Sequence, residues 1–550
     1  MSNTPQRGYE PLAQNEGRKY PVVVENSFDT VNTQYKLGHT VSNPGALTVD
    51  RAGGTRKACL AGLTLSTLCG VAAIVVGIVS KGSQQTWDLS PAARKLWILP
   101  INIFLLAITE SLGYIHAISL RWALFHEGRL DFNTNLRLMT FARESGPNNA
   151  FFSIIFFICI ATVYAAGNML LVYNTSAFYM ARLSGDEGPD WDTEKRNASI
   201  PRSIPICLGV AILMMCAITA WSIKRSRISS WSSDPFTTVS VALNSTLVHR
   251  KGRAMMSVRD RKLSSRASKP VSRQPAVRSA SKMVKWVLLL NVAVLITLAI
   301  WTAVIVYVGY HGSGTRHDNG SSWGFFPTAT ANNNYINGLR GSDFENESDA
   351  TLTVFLFFFA SAGMGDLRTL NEGRMIGVLL LYLAIQSIVT IGLHCAELQC
   401  QLVRDEATWR TLESPNGQPQ PSRYNSVMQP FLSWQGAGLM FFKVVTHWIF
   451  GASLQVDYSQ GLLMRPPQIT YLTITWLFFV VFIVAVTMTS PKGYLPASYG
   501  HLQTMADVAD EWWDKMYWGD KNLAERQDGL RHAGTSQMEL PPVHEEDLYA

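Results

Sequence analysis

Six ionisable side chains stand inside or at the ends of long apolar runs, where charge is costly: Glu110, His116, His394, Glu397, Lys443 and His447. Glu110 and Lys443 each lie near the middle of a run, at matched depth and with opposite sign. If they face each other, each lowers the other's desolvation penalty. His447 follows Lys443 by four residues and shares its helical face. Toward the inner end, His116 is expected to meet His394 and Glu397, which share a face at i, i+3. A titratable chain of this kind is the layout of a proton or ion relay. A structural salt bridge, with end residues snorkelling to the headgroups, explains the same residue types. Both readings stand on the sequence alone. Metal binding is not expected, because His394, Cys395 and Cys400 offer too few ligands, and no cofactor is implied.

A second candidate is Ser361, Ala362, Gly363, Met364, Gly365 and Asp366, at the end of an aromatic run that begins at Leu352. The order of apolar run, outer loop, short apolar helix, glycine-rich turn and second apolar run over Trp286–Leu398 resembles the pore module of potassium-type channels. That resemblance implies backbone carbonyls in place of an ion's hydration shell, with glycines supplying the unusual φ values. Met364 departs from the family's aromatic residue, Ala362 is small, and the fourth run lacks the arginine ladder of a voltage sensor. A small-residue turn that lets a short helix pack closely is the plainer alternative.

These residues need helices to hold them. About 20 apolar residues cross a bilayer, and backbone in lipid must be helical. Eight runs qualify: Ala58–Ser80, Trp97–Leu120, Ala150–Tyr173, Ile204–Ile223, Trp286–Tyr310, Met375–Leu398, Phe431–Val456 and Ile469–Ser490. Thr351–Met364 is short and suits a re-entrant segment. The expected fold is an all-α polytopic membrane bundle: eight transmembrane helices, one re-entrant helix over 351–367, and disordered cytosolic tails. By segment this gives an N-tail over 1–57, helices one to four over 58–224, and a basic loop over 225–283. Helices five and six with an outer loop follow over 284–398, then a cytosolic loop over 399–430, helices seven and eight over 431–490, and an acidic tail over 491–550. Strict alternation leaves both chain ends in the cytosol.

Charge supports that sidedness. Arg225–Met283 holds 13 Lys/Arg against Asp234 and Asp260, a net of +11 in a chain of +7 overall, and such loops stay inside. Of five Asn-x-Ser/Thr sequons, Asn174, Asn197, Asn319 and Asn346 fall in outer loops, where they are expected to be glycosylated, and Asn244 falls inside. The tail from Pro491 has 11 acids and five Lys/Arg. Within it, Leu502, Met505, Ala509, Trp512, Trp513 and Met516 recur at helical spacing, so an amphipathic helix is expected over 501–518. Its acidic polar face suits docking on protein rather than on anionic lipid. The basic loop is a candidate partner for this tail, a binder of anionic lipid, or a solvated linker.

Composition excludes several classes. At 47% hydrophobic and 16% charged the chain is neither disordered nor an ordinary soluble protein. Its seven cysteines lie in or beside apolar runs, unlike a disulfide scaffold or a zinc ribbon. No GxSxG, Walker-type, HExxH or Rossmann motif occurs, so no enzyme is expected. The basic loop lacks interleaved aromatics, so no nucleic acid is expected either. Two stretches, Gly392–Leu398 with Arg404–Arg410 and Met464–Ile469 with Tyr499–Thr504 and Tyr517–Lys521, are similar to multi-pass membrane proteins of filamentous fungi whose function is uncharacterised. That similarity implies a fungal membrane protein and no activity. The expectation is transport of an ion or small solute, channel-like or proton-coupled, in the plasma membrane or a vacuolar or endosomal one, with homo-oligomers if a pore forms. The alternative is a non-catalytic sensor or scaffold that recruits partners through the basic loop and tails.

Overall fold

The computed structural model describes residues 53–82, 87–173, 197–245, 247–263, 267–311, 372–419, 433–457, 461–464, 466–521 and 530–549. The helices are α1 (Gly53–Val79), α2 (Pro91–His126), α3 (Ala150–Asn168), α4 (Ser203–Arg225), α5 (Pro235–Asn244), α6 (Lys282–His311), α7 (Glu372–Cys395), α8 (Glu397–Arg410), α9 (Trp434–Ser453), α10 (Pro466–Met488) and α11 (Leu502–Val508). Seven of these are long and apolar enough to cross a membrane: α1 to α4, α6, the stretch beginning in α7, and α10. The remaining expected run, Phe431–Val456, forms the helix α9 but does not join these seven. Its Lys443 and His447 leave it too polar to qualify by composition, and it packs inside the bundle. The expected re-entrant segment and its filter-like loop, Ser361, Ala362, Gly363, Met364, Gly365 and Asp366, lie outside the described residues.

The bundle turns greasy side chains outward. Leu65, Leu68, Phe104, Phe151, Ile154, Leu289, Ile296, Ile300, Leu380, Phe441, Phe478 and Val481 are all exposed, far more apolar surface than a water-soluble protein shows. This is the architecture of a polytopic membrane protein. Small residues bring the helices together. Gly70 of α1 meets Gly209 of α4 so closely that a Cβ on Gly209 would lie 2.4 Å from the Gly70 carbonyl, and Gly392 of α7 lies under the Trp476 ring of α10.

The loops fold at both ends, which an all-α reading omits. At one end β1 (Trp87–Asp88), β2 (Val172–Tyr173), β3 (Asn197–Ser199), β5 (Leu454–Asp457) and β6 (Gly461–Met464) form a sheet in the order β1-β3-β2-β5-β6. Only the β2–β5 pairing is parallel. Strands of two to four residues are too short to show a period-two pattern. The other end is a folded cap. It joins residues 127–149, the basic loop, α8 with β4 (Gln418–Pro419), and the tail with β7 (Lys515–Asp520) and β8 (Ala533–Ser536). Phe236, Trp409, Leu495, Met505, Trp512, Met516 and Tyr549 share its core.

The cap corrects the expectation of a disordered C-tail and of a helix over 501–518. Helix α11 stops at Val508. Asp510 then accepts hydrogen bonds from the Thr535 amide at 2.7 Å and the Lys521 ammonium at 2.7 Å, which pins the chain as it becomes extended. Met516 and Trp518 are buried two residues apart on a strand. Sparse apolar residues fit a period of two as well as 3.6 over so short a stretch, and strand pairing with residues 533–536 decided between them. The basic loop likewise folds, docked on the tail through backbone bonds. These include Val258 N–H to Ala497 O at 2.9 Å and Gln274 N–H to Pro491 O at 3.0 Å.

Helix directions follow from side-chain contacts. Tyr382 packs on Phe450 and Gln386 on His447, while Glu397 meets Lys443, so α7 and α9 run antiparallel. Thr302 meets Thr473 and Trp476 bonds Asn291, so α6 and α10 are antiparallel too. Gly392 lies close to Asn291. The C-terminal end of α6 and the N-terminal end of α7 therefore both point to the sheet end.

Candidate functional site

Four helices deliver one cluster. Lys443 of α9 has no exposed side-chain surface, and its ammonium donates to Glu110 of α2 at 2.6 Å and to Glu397 of α8. His394 Nδ1 lies 2.8 Å from the same Glu397 oxygen and 3.9 Å from Glu110. Only the single turn residue Ala396, itself in helical backbone, separates α7 from α8, and Glu397 follows it onto Lys443. Glu110 and Glu397 keep 22% and 16% of their side-chain surface accessible, where Lys443 keeps none.

Of the expected constellation, the Glu110–Lys443 pair forms. His394 and Glu397 join it instead of making a separate inner group. His116 stays apart, stacked on Phe156 at 4.5 Å, with neither ring nitrogen hydrogen-bonded among the described residues. His447 does not touch the charges. Its ring stacks on Tyr164 at 3.7 Å, and its Nδ1 meets Gln386 Nε2 at 2.7 Å. Of the four outer sequons only Asn197 is described. It opens β3, between β1 and β2, and the hydroxyl-bearing Ser199 is buried.

Sequence reading missed Tyr164, Gln386, Thr109 and Arg137. Tyr164 hydrogen-bonds Thr109 at 2.8 Å, one residue before Glu110. Gln386, Thr390 and His394 form an i, i+4 polar stripe on α7, a signal the sequence does carry. Arg137 carries none, because it comes from a loop. It threads against Gly113 of α2 and over Phe156 at 5.7 Å, bringing a second positive charge toward Glu397.

Glu110, His394 and Glu397 place a ligand atom each within 4.8 Å of one another, as a divalent cation would need. The Lys443 ammonium bonds both carboxylates, so a tethered cation holds that position. Burying ions this way is expensive, and removing one partner costs more than the pair gains. Beside the cluster, His394 Nε2, His447 Nε2, Thr446 Oγ1 and Gln386 Oε1 are buried without hydrogen-bond partners among the described residues. A dry unpaired group costs about 1–3 kcal/mol, so such a row is uncommon in a tightly packed core. No known family model, curated protein or solved structure matches the chain.

Proposed function

We propose that this protein moves an ion or a small solute across a membrane, with Lys443 as a tethered cation that an incoming cation or proton displaces from Glu110 and Glu397. The observation that supports this is the gathering of Glu110, His394 and Glu397, from α2, α7 and α8, around the fully buried Lys443 ammonium of α9, while the two glutamate side chains keep some accessible surface. Neutralising either carboxylate weakens its hold on Lys443 and loosens α9 from α2 or α8. Site occupancy is thereby coupled to helix packing.

The sidedness proposed with it places the cap in the cytosol. Exposed Arg56 and Lys57 at the start of α1, Lys224 and Arg225 at the end of α4, and Lys282 and Lys285 at the start of α6 lie at the cap ends of their helices, as the inner-side bias of basic residues requires. They also suit anionic headgroups.

The test is flux in proteoliposomes loaded with pH-sensitive or cation-sensitive dyes. Wild-type protein should carry protons or a common cation, and Glu110→Gln should alter the rate. Absence of both flux and cation binding would remove this reading. The second reading, a sensor or scaffold, rests on the exposed basic residues of the cap, such as Arg259, Arg261 and Lys262. Reversing these three charges should then abolish cellular function without changing flux.

A further inference from the structure

The polar atoms left unpaired beside the charge cluster are not scattered. They follow one line along α7 and α9, away from Lys443 and toward the sheet end. His394 and Gln386 of α7 have Thr446 and His447 of α9 opposite them, and Tyr382, hydrogen-bonded to Asn168, follows Gln386 by one turn toward the sheet end. His394 uses Nδ1 on Glu397, and its Nε2 is free among the described residues. With the Gln386 amide nitrogen donating to Nδ1, neutral His447 carries its proton on Nε2, and that N–H has no acceptor. With the amide turned over, Nε2 becomes an acceptor without a donor. In either orientation one ring nitrogen and one amide atom need a partner that the described side chains do not supply.

Spacing says what that partner is. Residues four apart on a helix are separated by about 6 Å along its axis, and one water bonded to two polar atoms spans roughly 5.5–6 Å. Thr390, whose hydroxyl donates to the Gln386 carbonyl at 2.9 Å, stands between Gln386 and His394, so polar side chains recur every four residues along this part of α7, and the site is polar enough to hold water between them. The row ends where Tyr382 packs edge-on to Phe450 near Asn168, whose amide bonds Asn102 and the His447 carbonyl. At the other end the groups facing it are Lys443 of α9, Glu110 of α2, Glu397 of α8 and Arg137, with the Tyr164 ring of α3 alongside.

We propose that this row is a hydrated proton file, and that the ion which reaches the Glu110–Lys443–Glu397 centre from the sheet end is a proton. The inference rests on the transport reading above and names its ion and its route. A proton moves through such a file by hopping between waters and imidazole nitrogens. A metal cation would have to shed its hydration shell among these buried side chains and then meet the Lys443 ammonium. Protonation of Glu110 or Glu397 releases one of the two hydrogen bonds that hold Lys443.

Two measurements test it. In the first, the full-length protein in lipid nanodiscs is exposed to millisecond X-ray pulses, which generate hydroxyl radicals from water in place, and oxidation is read by mass spectrometry. Tyr382 and His447 should oxidise several-fold faster than Trp122, which is equally buried but hydrogen-bonded to the Ser230 carbonyl. Rates at or below that of Trp122 would overturn the file without touching the transport reading. In the second, Gln386→Leu and His447→Phe are compared with wild type in proteoliposomes under a pH gradient, after each is shown to be monodisperse. Proton flux should fall at least tenfold. Undiminished proton flux in both variants would also overturn the file. Flux of a cation with no proton movement in the wild type would leave the transport reading standing and refute the proton.

Discussion

Removing Lys443 should injure the fold far more than removing either of its partners. In Lys443→Met the two carboxylates of Glu110 and Glu397 are left facing each other with His394 as nearest neighbour, because the ammonium that bonded both is gone. Breaking one side of a buried ion pair costs about 3–5 kcal/mol. A thermal shift of about 2 °C per kcal/mol at most applies to a chain of this size, so the midpoint should drop by up to about 6–10 °C. Glu110→Gln keeps Lys443 on Glu397 and leaves an amide that still accepts a hydrogen bond, so its loss should stay at about 1.5 kcal/mol, the low end for one hydrogen bond to a charged group. The double variant removes the repulsion together with the cation. It should be more stable than Lys443→Met alone, with a coupling of about 1–3 kcal/mol. Tryptophan fluorescence during heating in detergent reads all four proteins. If Lys443→Met melts with the wild type, or if the two single effects simply add, Lys443 does not bridge these carboxylates.

The other expectations concern the cap, the packing and the sidedness. Burial raises the Asp234 carboxyl at the start of α5 from 3.8 to about 6. Its contribution is therefore fully present below about pH 4 and is lost as pH rises through 6, a change of about 3 kcal/mol. Asp234→Asn should flatten that slope in pH-dependent melting. Asp510 goes the other way: its hydrogen bonds from His532, Lys521 and Thr535 hold its carboxyl below the usual range, so its stabilisation is present above about pH 4 and disappears in acid. Asp510→Asn should cost about 2–4 kcal/mol at pH 7 and speed limited proteolysis of the tail, whereas unchanged cleavage would refute its anchoring role. Gly392→Ala puts a Cβ 2.8 Å from the Trp476 ring and should destabilise by about 1–3 kcal/mol, visible as a shift in tryptophan emission. Endoglycosidase treatment of protein expressed in a eukaryotic host should increase its gel mobility, and the increase should shrink when Asn174, Asn197, Asn319 and Asn346 are changed to Gln. A gel pattern insensitive to both would reverse the assigned sides.

Hydrophobic run lengths alone determined that this chain builds long apolar helices, because backbone in lipid has no other way to pair its polar groups. Matched depth and opposite charge likewise made the Glu110–Lys443 pair legible, since a buried ion finds few other partners. Tertiary structure decided the rest. The packing of α7 and α8 against α9 brought His394 and Glu397 to the Lys443 cluster, a loop supplied Arg137, and strand pairing ended the tail helix at Val508. Run length and charge are local properties that one helix carries by itself. Which faces meet, and where a short segment pairs as strand rather than coils as helix, depends on residues elsewhere in the chain, and only the assembled chain contains that information.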